Sequence, residues 1–237
     1  MPRSAADAGG LATWAREACM SASPTRKPDD HHVLISEAGA DRLWSLLRFS
    51  LCHWLVLYLV LSGLYAGLAL LAPVAMSLGW LRLGTALHGL YSLVCHQEPG
   101  ASYLVFGRGE PLPVELVDDR FWKGSPAIGW KTALCQRNLA IYGSLFLYGL
   151  VFGLTGRRWP PLALWIGALL CVPMATDGLT QAFGWRESNW LWRTLSGSLF
   201  SLGVTWALLP RVQAASRDVL QSFPDKQPTD GAAVSGS

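Results

Sequence analysis

From Phe49 the chain is almost unbroken in its hydrophobicity as far as Ala72 (FSLCHWLVLYLVLSGLYAGLALLA), with His53 the one awkward side chain and Pro73 as the stop. About 20 helical residues, rising 1.5 Å each, cross the roughly 30 Å of hydrocarbon in a bilayer. In lipid the backbone must satisfy its own hydrogen bonds, so a run of this kind is helical. Four more runs follow. Val74 to Val94 contains Arg82 and His88 and reads as a span, with a re-entrant helix as the alternative. Leu139 to Thr155 is the third run. The fourth starts at Trp159-Pro160-Pro161, with proline where a first helical turn tolerates it, and reaches Ala175. Trp190 to Leu209 is the fifth, closed by Pro210. The pattern predicts an all-α fold, a polytopic transmembrane helix bundle of about five spans. Gly63 with Gly67 and Gly149 with Gly153 stand at the four-residue spacing that lets helices approach closely in lipid, and are expected to pack them.

The polar stretches divide the chain into a polar N-terminal tail (1–42), a transmembrane helical domain (43–210) and a disordered C-terminal tail (211–237). The loop 95–137, rich in Gly, Pro and acidic residues, is inserted in the middle domain. Connections of that length tend to be functional, and this one is expected to cap one end of the bundle. The first residues hold no apolar core of signal-peptide length, so insertion is expected to rest on the helices themselves. Charged residues make up 15% of the 237, against about 25% in soluble domains. A formal net charge of +3 is too small to argue for nucleic acid. Many of the 12 Trp residues lie near the ends of apolar runs, as in an interfacial aromatic belt.

Short loops rich in Arg and Lys remain in the cytoplasm, which places the Gly156-Arg157-Arg158 turn there. The long loop and the Asp177–Asn189 connection then lie outside, at a cell membrane crossed several times. Whichever way the molecule is inserted, alternating spans carry four polar clusters to one face. These are Cys95-His96-Gln97, Cys135-Gln136-Arg137, Asp177 with Gln181, and Asn189 with Arg193.

Several chemistries suit these clusters. Two Cys and a His are ligands for zinc if a fourth donor such as Asp177 joins them, although adjacent Cys95 and His96 diverge on a helix. An extracytoplasmic Cys95 and Cys135 could instead form a disulfide, or Cys95 could be a nucleophile served by His96. In the plainest reading they are small buried side chains beside a helix-end histidine. Cys52 and Cys171 lie inside spans and are expected only to pack. Asp177 and Gln181 share a helix face, as do Asn189 and Arg193. A carboxylate ending one span and an arginine opening the next make either an ion-pair clasp or a ligand site. Arg137, Arg186 and Arg193 add guanidinium groups suited to phosphate or carboxylate. The catalytic candidates are therefore Cys95, His96, Cys135 and Asp177. The ligand-binding candidates are Gln97, Arg137, Gln181, Arg186, Asn189 and Arg193, with an anionic or phosphorylated lipid headgroup as the expected partner besides the bilayer. No cofactor or metal is identified.

The segments YSLVCHQ (91–97), GWKTALCQRNLAIYG (129–143) and PMATDGLTQAFGWRESNWLWRTLSG (173–197) resemble, in that order, a family of prokaryotic membrane proteins known as domain of unknown function 2085. The resemblance implies a multi-helix membrane fold and no activity. Many members have Asp or Cys near the position of Asn138, which leaves a Cys-His-Cys zinc site one ligand short here. Asp177, Gln181, Arg186, Asn189 and Gly197 together are also similar to a short acid-Gln-Arg-Asn-Gly pattern of VanZ-like glycopeptide-resistance membrane proteins. Three classes of function follow: an enzyme acting on a phosphorylated lipid or cell-envelope intermediate, a protein that binds such a headgroup, or a structural or accessory subunit whose polar clusters only tie helices together.

Overall fold

The computed structural model describes residues 37–222, with side chains from Arg42 onward. It is mostly helical. Helix α1 (Glu37–Ser77) is followed by a short helix α2 (Leu81–Tyr91). Three strands come next: β1 (Ser102–Val105), β2 (Gly124–Ser125) and β3 (Gly129–Cys135). Helices α3 (Gln136–Leu154), α4 (Leu164–Ala182) and α5 (Trp190–Ser222) complete it. Of the described helices, α1 from Arg42 and α3 are long and apolar enough to cross a membrane.

The first apolar run does not stop at Pro73. Helix α1 continues through it to Ser77, a total of 41 residues, or about 60 Å. The break comes at Gly79, whose φ of +80° lies in the left-handed region that glycine enters without penalty. The second run is therefore divided. Its helical part, α2, has 11 residues, about 16 Å, too short to cross a bilayer. It turns back along α1, and Leu87 and Tyr91 pack on Ala66, Ala69 and Ala72. The Tyr91 hydroxyl donates to the Tyr65 carbonyl at 2.5 Å.

The long loop contains a small antiparallel sheet in the order β1-β3-β2 that the all-α reading omitted. Ser102 pairs with Cys135 and Leu104 with Lys131, with an irregularity between. Central strand β3 buries Ala133 and Leu134 in the same core as Ala66, Ala69 and Leu87. Buried His88 joins α2 to this strand, its ring nitrogens lying 2.8 Å from Gly84 O and 3.1 Å from Lys131 O.

Helix α3 runs antiparallel to α1: Tyr142 meets Tyr65 with ring centroids 4.2 Å apart, and the Tyr58 hydroxyl donates to Leu145 O at 2.9 Å. Helix α5 runs parallel to α3. Ser201 Oγ donates to Ile141 O at 2.8 Å, Ser144 Oγ to Ser198 Oγ at 3.1 Å, and Tyr148 Oη lies 2.8 Å from Ser198 Oγ. Helix α4 packs antiparallel on α5, with Gly167 against Gly203 and Ala207. Leu55, Phe152 and Leu209 form a second core at the end away from the cap. A Cβ on Gly63 would press on Phe146, and one on Gly149 would press on Tyr58. At Gly67 it would meet nothing within 4 Å, so that glycine does not pack a helix.

Helix α5 also passes its proline, Pro210, and continues to Ser222. Residues 211–222, expected as part of a disordered tail, are thus helical. The remainder of both expected tails lies outside the described residues.

Candidate functional site

At the cap end the starts of α3 and α5 meet the end of α4. Cys135 stands before α3 with extended backbone, which leaves Arg137 in the first turn. Asp177 and Gln181, one turn apart on α4, both face it. Arg137 donates through one terminal nitrogen to Asp177 Oδ2 at 2.5 Å and to Gln181 Oε1 at 2.8 Å. Arg186, in the connection after α4, approaches Asp177 Oδ1 at 3.5 Å, an ion pair without a hydrogen bond, and lies over the Trp192 ring at 5.8 Å. The Asp177 side chain is only 5% exposed, against 48% for Arg186. Gly197 of α5 lies where a Cβ would be 3.0 Å from Arg137 O.

The sequence reading joined Asp177 to Arg193 as the contact between spans four and five. The carboxylate is instead held by Arg137 and Arg186. The chain offered that clue in the arginine two residues after Cys135, but the next helix was the nearer candidate. Arg193 keeps a buried terminal nitrogen with no hydrogen-bond partner among the described residues. The same is true of Arg137 Nε, Gln181 Nε2, Asp177 Oδ1 and Gln136 Oε1. A buried polar atom without a partner is costly, and three of the five, on Arg137, Asp177 and Gln181, belong to one cluster where α3 meets α4.

The other predicted residues divide differently. Cys95 and Cys135 meet, with the Cys135 N–H donating to Cys95 Sγ at 3.4 Å. The Cys95 thiol is lowered by its hydrogen bond with the Cys135 thiol and by backbone N–H groups, whereas the Cys135 thiol is raised by the same pairing and by burial. His96 is exposed. Among the described residues no three His, Cys, Asp or Glu side chains converge as metal ligands. Gln97 is buried in the cap, where its amide donates to His88 O at 2.8 Å. Asn189 caps α5 by accepting the Trp192 N–H at 2.8 Å, the ordinary task of Asn before a helix. Neither amide reaches the arginine cluster through these bonds. Cys171 donates to Gly167 O at 3.2 Å, consistent with packing. Cys52 is buried in α1.

The residue that sequence reading missed is Lys131. It is fully buried, and its ammonium donates to Gln97 O at 2.6 Å and Arg120 O at 2.8 Å. Burial is the main cause that lowers it from 10.5 to about 8. A lysine between Trp130 and Thr132-Ala133-Leu134 was the available signal.

The described chain is mostly helical, with two helices long and apolar enough to cross a bilayer and a buried ionic cluster at one end. Residues 126–207 match the model of a family described as predicted membrane protein (DUF2085), the family that the three motifs resemble. The chain is also similar to an uncharacterised protein of Methanocaldococcus jannaschii, 29% identical over 149 residues, covering 59% of this chain and 80% of that protein. An uncharacterised protein of Methanothermobacter thermautotrophicus is 27% identical over 122 residues, covering 52% and 88%. No solved structure matches.

Proposed function

We propose that this chain is a multi-pass protein of the cell membrane that recognises an anionic headgroup, such as that of a phosphorylated lipid or cell-envelope intermediate, at the cluster of Arg137, Asp177, Gln181, Arg186 and Arg193. In this reading α1, α3, α4 and α5 are the spans and α2 is a short return helix beside the cap. The observation that carries it is the set of unmet donors. Arg137 Nε, Gln181 Nε2 and Arg193 each keep a buried N–H without a partner. Two guanidinium groups, those of Arg137 and Arg186, meet one carboxylate, a surplus of one positive charge. Phosphate or carboxylate oxygens supply both the acceptors and the charge that such a site lacks. No reaction is assigned.

The test is native mass spectrometry of the full-length protein with phosphatidic acid or phosphatidylcholine. The expected result is retention of phosphatidic acid over phosphatidylcholine, reduced about tenfold in Arg193→Lys, because lysine cannot reproduce the fork. Equal retention of both lipids, unchanged in Arg193→Lys, sinks the recognition reading.

A second reading is favoured by the two hydrogen bonds from Arg137 to α4: the cluster is a clasp between α3 and α4. Arg137→Ala and Asp177→Ala would then each destabilise by about 3 kcal/mol. The double variant would recover part of that loss, with no selectivity among lipids.

A further inference from the structure

Cys95 and Cys135, 40 residues apart, meet where the cap joins the helices. Cys95 follows the last turn after α2, its N–H bonded to Tyr91 O at 3.0 Å. Cys135 ends β3 and opens α3. The Cys135 N–H points at the Cys95 sulfur at 3.4 Å. Cys95 is buried in the core with Tyr91 and Leu134, while Cys135 is partly exposed. Both are free, and among the described residues no third ligand joins them. Two adjacent thiols, one buried with an N–H aimed at its sulfur and the other partly exposed, are the parts of an exchange site.

We propose that Cys95 and Cys135 are a thiol–disulfide site, oxidised by a low-molecular-weight disulfide, whose bond locks the cap onto α3 two residues from Arg137. The thiolate of one cysteine of the pair attacks the disulfide RSSR, forming a mixed disulfide and expelling RS⁻, which takes up a proton. The thiolate of the other then attacks the protein sulfur of that mixed disulfide and expels the second RS⁻. Two protein thiols and one RSSR become one protein disulfide and two RSH, and the two electrons lost by the protein reduce the donor. This inference does not depend on headgroup recognition.

The experiment uses the full-length protein in detergent, treated with oxidised glutathione, blocked by alkylation and mapped by peptide mass spectrometry. The expected product is a peptide pair linked through Cys95 and Cys135, which dithiothreitol separates, in a protein that melts several degrees higher than the reduced form. Cys95→Ser or Cys135→Ser should stop at a glutathione adduct on the remaining thiol of the pair. If both thiols of the wild type stay open to alkylation after oxidised glutathione, or if Cys95 links to a different cysteine, the proposal is overturned.

Discussion

Lys131 shows how much one side chain can hold in a small cap. Its ammonium ties the Gln97 backbone after α2 to Arg120 in the loop before β2, joining two stretches that have little other regular structure. Because burial lowers its folded pKa to about 8, the unfolded chain binds the proton more tightly. Charged Lys131 therefore opposes folding below about pH 8, and that penalty fades as pH rises toward 10.5. The expected outcome is a cap that resists proteolysis better at pH 10 than at pH 8, measured at a matched fraction of active protease. Lys131→Met should lose that increment, and an unchanged pH profile in the variant would mean that Lys131 is not its source. Arg193 raises the opposite matter, a buried terminal nitrogen that the described residues leave without a partner.

Among the elements, the helices were readable because their apolar runs are long, and the errors fall where punctuation was trusted over packing. Pro73 and Pro210 close apolar runs in the sequence, yet both helices pass through them, as helices among close neighbours can. Gly79, only six residues beyond Pro73, is the true break and divides the second run. The strands escaped notice because Ser102–Val105 and Gly129–Cys135 are short and one of them carries Lys131, so neither shows clean alternation. The convergence of Cys135, Arg137 and Asp177 at one end followed from alternating helices and needed no side-chain detail. Which arginine holds Asp177 did need it, because Arg137 and Arg193 open parallel neighbours and sequence separation does not rank them. The contact of α3 with α5 turns on Gly197, where an added Cβ would lie 3.0 Å from Arg137 O and 3.2 Å from the Ala140 Cβ. Gly197→Leu is expected to destabilise by about 1–3 kcal/mol and to displace Arg137, read as a lower melting temperature together with loss of lipid selectivity. A normal melting temperature would show that the helices do not depend on that approach.

For the whole molecule, sidedness decides what the cap and cluster meet. The turn at Arg157-Arg158 and the cap stand at opposite ends of α3, so labels on the two should report opposite sides of the membrane. Arg158→Cys is expected to resist a membrane-impermeant maleimide in intact cells, and Glu115→Cys to accept it. The reverse result would put the cap and its arginines in the cytoplasm. The hydroxyl seam between α3 and α5 has a further consequence, for biogenesis. Ser144, Tyr148 and the Ile141 carbonyl are answered by Ser198 and Ser201, which are synthesised some fifty to sixty residues later. If helices enter the bilayer in order of translation, α3 waits beside α1 with a polar stripe facing lipid until α5 arrives. During that wait the nascent protein carries the mark by which membrane proteases and insertases distinguish an unfinished bundle from a finished one.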